Sequence, residues 1–143
     1  MNKAKGIICI TCLTVLAGCS APYKQNKWYH FVGGGYESES LNDGSHIVTF
    51  TGNGYTSNQR ALDYALIRSS EICIEEGKKY IELLNTADGY ERQHLQPGQY
   101  ISVPVGKHHI KCHAEQPNNK NMSYNAGKIQ ANLTRKYDLD LND

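Results

Sequence analysis

No stretch of this 143-residue chain reaches the roughly 20 consecutive apolar residues that a helix needs to span a bilayer. Charge of one sign is lacking too. The formal net charge is +1 and no block of like charge occurs, which argues against the basic footprint that neutralises a nucleic-acid backbone. No internal repeat is present. No phosphate-loop motif and no G-x-S-x-G nucleophile elbow occurs, and no C-x-x-C follows residue 19. Nothing here therefore announces an NTPase, a hydrolase or a dithiol oxidoreductase, and no catalytic residue, cofactor or metal is expected.

What is present begins at the front. Met1 to Lys5 carries two lysines and no acid, and Gly6 to Leu16 reads GIICITCLTVL. That apolar core of about 11 residues fits a secretory signal, with polar Ser20, Lys24, Gln25 and Asn26 close behind. Leu16-Ala17-Gly18-Cys19 resembles the lipobox of bacterial lipoproteins at all four positions. The resemblance implies a diacylglyceryl thioether on Cys19, cleavage before it, and acylation of the new amine. Several long chains on one residue make release negligible, since each buried methylene contributes roughly 0.8 kcal/mol. Ser20 stands where an inner-membrane retention signal of that family has Asp, so the expected address is the periplasmic face of the outer membrane. Residues 1–18 are thus read as a cleaved signal peptide, with the membrane, through the lipid, as first partner.

Cleavage leaves residues 19–143, near neutrality once Lys3 and Lys5 are gone and long enough for one core. Residues 19–35 read as a lipidated terminus and flexible tether ending in three glycines. Tyr23, Trp28, Tyr29 and Phe31 in it could sit among headgroups or dock on the domain. Residues 36–143 form the domain. Tyr36–Leu41 and His46–Thr51 flank the turn cluster Asn42-Asp43-Gly44-Ser45 and predict a hairpin. Thr56–Glu76 has helical spacing, with Leu62, Leu66, Ser69 and Cys73 on a stripe widened by Ala61, Ala65 and Ile72. Thr56 with Gln59 fits a capping box, and Gly77 fits the stop. A strand over Lys79–Leu84 precedes a polar loop over 85–99. Tyr100–Val103 and His108–Ala114 predict a second hairpin around Pro104-Val105-Gly106-Lys107. Ala126, Ile129, Leu133 and Tyr137 give a last helix, with Ser123 as its cap. The order ββαβββα predicts an α+β fold, a small antiparallel or mixed sheet with helices on one face.

FTGNGYTSNQR (residues 50–60) runs from a strand through Gly52-x-Gly54 into a helix, the context of a dinucleotide fingerprint. Ser57 replaces the third glycine and no acid ends the next strand, so nucleotide binding is not expected. Gly52, Asn53, Gly54, Thr56 and Ser57 remain either an anion site at a helix N-terminus or a tight turn. In the second case Gly52 or Gly54 should take positive φ. GNGYTS, followed by ALDYALIRSSEICIEEGKKYIEL, resembles a family of short uncharacterised lipoproteins of Gram-negative envelopes. The likeness continues at HIKCHAEQP (109–117) and SYNAGKIQANLTRKYDL (123–139). It implies a lipid anchor and one compact domain, and brings no catalytic residues. Asn125, His113 and Cys73 depart from the family's pattern.

His108-His109-x-x-Cys112-His113 has the composition of a metal site. On a strand, however, His109 and His113 stand about 13 Å apart at ~3.3 Å per residue, as do His108 and Cys112 on the other face. His30, His46 or His94 would have to join, and surface histidines are the simpler expectation. Glu71, Glu75 and Glu76 read as a solvated helix face, and Glu37 with Glu39 as strand acids without a cleft. Cys73 continues the inward helix stripe, while Cys112 alternates inward with Ile110. The two either form a disulfide or remain small buried apolar residues. The function expected is a lipid-anchored, non-enzymatic binding or structural component of the envelope with a protein partner. The alternative is a small ligand-binding or stress-sensing module using Gly52–Ser57 or the 85–99 loop.

Overall fold

The computed structural model describes residues 21–25 and 34–141. Cys19 and the apolar run before it, and Trp28, Tyr29, His30 and Phe31, lie outside the described residues. The elements are β1 (Gly35–Ser40), β2 (Ser45–Thr51), α1 (Asn58–Glu75), β3 (Tyr80–Gln96), β4 (Gln99–His113), β5 (Ser123–Asn125) and α2 (Ala126–Tyr137). The fold is α+β, in the order ββαβββα. Five strands form one antiparallel sheet ordered β1-β2-β4-β3-β5. Helix α1 packs on one face of it, and α2 rests mainly on α1.

Helix α1 begins one residue later than the capping-box pattern suggests. Ser57 is the N-cap, its Oγ accepting from Arg60 N at 3.1 Å, because Thr56 is occupied in the preceding turn. The helix ends as expected. Gly77 takes φ 69°, and Lys78 N donates to Cys73 O while Gly77 N donates to Ile74 O, the paired bonds of a Schellman stop. Helix α2 starts from Asn125 rather than Ser123. The Asn125 side chain accepts from Lys128 N, while Ser123 is held in β5 against Glu82.

The core lies between α1 and the sheet: Val48 and Phe50 of β2, Ile110 of β4, Ile81 and Leu83 of β3, against Ala61, Ala65, Ile72 and Cys73. The flank of α1 beside that core is buried as well. Tyr64 meets Phe50 at 4.9 Å, Tyr23 at 5.5 Å and Tyr137 at 5.2 Å between ring centroids, each edge-on. Such aromatic pairs add to area burial, and here they join sheet, N-terminal segment and α2 through one side chain.

Two expectations need correction in this region. Residues 85–99 are not a loop, because β3 continues through them and pairs with β4 as far as Gln96↔Gln99. Their polar composition reflects a ribbon that leaves the helix after Asp88, whose Oδ2 accepts from Asn58 Nδ2 at 3.2 Å. The turn of that hairpin is Pro97-Gly98: Pro97 has a restricted φ and Gly98 sits at φ 80°, as a type II turn requires. Pro104–Lys107, expected as a turn, is instead continuous β4. A Cβ on Gly106 would come within 2.4 Å of main-chain atoms of Ala61 and Leu62. That glycine lets α1 lie against the strand. Pro104, at the limit of the β2 pairing, uses its carbonyl to accept from Gly52 N at 2.8 Å.

Candidate functional site

The GNGYTS turn is built around Asn53 and Thr56. Asn53 Oδ1 accepts from Tyr55 N and from Thr56 Oγ1, both at 3.0 Å, and Thr56 Oγ1 accepts from Asn53 N. Neither Gly52 nor Gly54 has positive φ, which corrects the reading of this turn. Gly52 is required for space, since its Cβ would fall 2.6 Å from Thr56 Cβ. Around Gly54 nothing lies within 4 Å. Gly52→Val should therefore lower stability by more than about 1 kcal/mol through overpacking, whereas Gly54→Val should stay within about 0.5 kcal/mol. Paired denaturation curves check this, and equal midpoints would contradict it.

Thr56 Oγ1 also accepts from Ala21 N at 3.1 Å. Ala21 is fully buried, Tyr23 stacks 5.1 Å from Tyr36, and Gln25 bridges to Tyr36 in parallel. Residues 21–25 are thus part of the folded unit rather than of a free tether. Apolar and aromatic side chains fill a notch between β1 and α1. Cys19 is two residues upstream, at most about 7 Å of extended chain from Ala21. Gly52, beside this notch, is bonded to Pro104 at the base of the hairpin.

Beyond Gly89↔Val105, β3 and β4 pair only with each other, since β2 ends at Thr51↔Val105 and β5 covers residues 80–82. This arm extends seven β3 residues, about 20 Å at ~3.3 Å each. Arg92↔Ser102 and His94↔Tyr100 are cross-strand pairs. The His94 and Tyr100 rings stand 4.3 Å apart, and the Arg92 guanidinium lies 5.7 Å from the Tyr100 centroid. Tyr90, Leu95 and Tyr100 are exposed at 67%, 42% and 50%. An isolated two-stranded hairpin is marginally stable in water, and both edges of this one offer unpaired backbone groups.

The histidine cluster is dispersed rather than convergent. His108 is buried, with Nε2–H donating to Leu62 O and Nδ1 facing Thr86 Oγ1, both at 3.0 Å. Burial lowers its pKa, against the opposing pull of the Leu62 carbonyl. His113 Nε2 meets Glu82 Oε2 at 2.6 Å. His109 Nε2 lies 2.8 Å from Ser45 Oγ. None of these three is the free surface histidine expected. The Ser45–His109 contact resembles a nucleophile and base, but the Ser45 proton goes to Asp43 Oδ1 at 2.6 Å. His109 must then donate to Ser45, a residue with no exposure. This is a lock on the β1–β2 turn.

Cys73 and Cys112 are joined in a disulfide, with Cα atoms 5.2 Å apart. Cys73 is fully buried and Cys112 half-buried. The helix acids are not simply solvated. Glu71 and Glu75 hold Arg68 at 2.9 and 3.1 Å, and Glu76 reaches His46 at 2.7 Å. Glu37 and Glu39 stay exposed on β1. Asp63 and Glu82, two buried carboxylates, carried no signal in the sequence. Asp63 accepts from Gln59, Lys136 and Tyr137 at 2.8, 2.7 and 2.6 Å. Burial would raise its pKa, but these bonds outweigh that and hold it low. Glu82 accepts from Asn119 and Asn121 at 2.6 Å each. Asn121 is the largest cause of its lowered pKa, with His113 and Asn119 acting against burial in the same direction.

Among the described residues, His46, Glu76 and Cys112 bring ligand atoms within 4.8 Å of one another. No helix there is long and apolar enough to cross a membrane. Compared with family models, curated proteins and solved structures, the chain matches none of them.

Proposed function

We propose that this protein is a lipid-anchored lipoprotein of the periplasmic face of the outer membrane, a non-enzymatic binding component whose β3–β4 arm engages another envelope protein. The observation that carries the reading is the arm itself, a two-stranded ribbon of about 20 Å with open edges and exposed Tyr90, Leu95 and Tyr100. Strand edges and exposed tyrosines are what a protein partner can use, the first through backbone pairing and the second as large rigid contacts. The Leu16-Ala17-Gly18-Cys19 lipobox supplies the anchor. Its nearness to Ala21 keeps the arm's base within a few residues of the membrane. The resemblance of GNGYTS and the segments after it to short envelope lipoproteins agrees with this address. The ligand-site alternative at Gly52–Ser57 is less favoured, because Thr56 and Ser57 already spend their hydroxyls on Ala21, Asn53 and Arg60.

A photo-reactive residue placed at Leu95 or Tyr100 should crosslink to a discrete envelope protein in intact cells, and one at exposed Lys120 should not. Equal, diffuse labelling from all three positions would sink the arm as a binding element. In the same cells Cys19→Ala should abolish incorporation of labelled palmitate. Persistent label on that variant would remove the anchor.

A further inference from the structure

Where α1 ends against the sheet, three side chains with metal-ligand chemistry meet, and a fourth, Cys73, is bonded to one of them. Cys73 and Glu76 come from the last turn and cap of the helix, His46 from β2, and Cys112 from β4. His46 is buried, with a side chain 9% exposed. Its Nδ1 is tied to Ser40 Oγ at 3.0 Å, so the ring is oriented and its other nitrogen is aimed into the cluster. That Nε2 lies 2.7 Å from Glu76 Oε1 yet out of line for a hydrogen bond, which leaves a buried ring nitrogen without one. The helix C-terminus adds its negative dipole end to the Glu76 carboxylate.

We propose that reduction of the Cys73–Cys112 disulfide converts this cluster into a binding site for a borderline-soft divalent cation of the zinc class, with Cys73, Cys112, His46 and Glu76 as ligands. In the oxidised protein the sulfurs are bonded to each other and offer no thiolate. A dithiol reductant changes that. Its thiolate attacks the sulfur of Cys112, the more exposed partner, and breaks the S–S bond to give a mixed disulfide and the Cys73 thiol. The reductant's second thiol then closes its own disulfide and releases Cys112 as a thiol. Two electrons and two protons have reached the protein, and one dithiol has become a disulfide. Binding of the cation expels the two thiol protons. Two thiolates, one carboxylate and a neutral imidazole make a four-coordinate set suited to zinc.

The distances allow it. Two thiolates on a tetrahedral zinc sit about 3.8 Å apart, given Zn–S bonds of about 2.3 Å. His46, Glu76 and Cys112 already place their donor atoms within 4.8 Å. Cys73 lies outside that trio, so its sulfur, freed from the bond to Cys112, has to swing toward His46 and Glu76 to become the fourth donor. Ser40 then serves as the outer partner that fixes the imidazole, the usual accompaniment of a metal-bound histidine. The site is independent of whether Cys19 is acylated.

The test is zinc affinity of the folded domain, measured by competition with a chromophoric chelator after reduction by a phosphine and after oxidation. The reduced protein should bind one zinc at least about 100-fold more tightly than the oxidised protein. His46→Ala should weaken binding by at least about tenfold, and Ser40→Ala by roughly tenfold. Cobalt should give the sulfur-to-metal charge-transfer absorption of a thiolate site in the reduced wild type. Circular dichroism accompanies each titration, and where reduction loosens the fold, zinc should restore the native spectrum. Equal affinity in the two redox states would overturn the proposal. So would undiminished binding by His46→Ala, which would mean that two loose thiols alone hold the metal, or a reduced chain that zinc fails to refold.

Discussion

Cys73→Ser/Cys112→Ser, assayed without metal, should unfold with about 4 kcal/mol less stability than the oxidised wild type. The bridge spans 39 residues, and in the chain-entropy picture a loop of that length removes about 4 kcal/mol of conformational freedom from the unfolded chain. Few single features of a small domain are worth as much, since total stability is of the order of 5–15 kcal/mol. The bond also ties the last turn of α1 to β4, the strand between β2 and β3, so its loss frees the helix end and the sheet centre together. Denaturant titration of the oxidised wild type against the double variant reads this directly. A difference below about 1 kcal/mol would mean that the unbridged unfolded chain already keeps the α1 and β4 segments close together.

Gly106→Ala should cost about 3 kcal/mol or more, at the upper end for overpacking. A single methyl there would come 2.4 Å from Ala61 C and Leu62 N and 2.5 Å from Ala61 O. All three are main-chain atoms in the first turns of α1, so no rotamer change relieves the contact and the helix must move outward. That movement would pull Leu62 O from His108 Nε2, now 3.0 Å away, and leave a buried ring nitrogen without its acceptor. Gly89→Ala provides the comparison, because it sits on the neighbouring strand opposite Val105 with nothing within 4 Å. It should stay within about 0.5 kcal/mol. Equal midpoints for the two variants would show that α1 does not rest on the strand at Gly106.

Helix α1 and its stop were legible along the chain because their causes are local. Apolar spacing over Ala61–Cys73 and a glycine at 77 act within a few residues of themselves. The same holds for β2 and for the inward alternation of Cys112 with Ile110, which made the cysteine pair worth testing. The lipobox resemblance rests on four adjacent residues, Leu16 to Cys19, and so needs no folded domain to be read. The caps sit one and two positions beyond Thr56 and Ser123, although either residue type can cap a helix. Tertiary bonds occupy them instead, Thr56 with Ala21 and Ser123 in β5.

The rest was decided across distance. Pro104-Val105-Gly106 carries turn residues, but the glycine is there for a helix that crosses from 45 residues earlier in the chain. Nothing in its neighbours says so. Residues 85–99 are polar enough for a loop and form strands because β3 and β4 pair with each other, a register visible only once both are folded. Ala21–Gln25 looks like spacer until Thr56, Tyr36 and Tyr64 are assembled to receive it. His46 belongs to no motif, yet folding sets it beside Glu76 and Cys112. Sequence alone determined the α+β class, the two helices and the inward-facing stripes, all products of spacing within a turn or a strand. The three-dimensional fold determined which polar groups meet, because donors and acceptors dozens of residues apart are brought together only when the backbone between them has been packed.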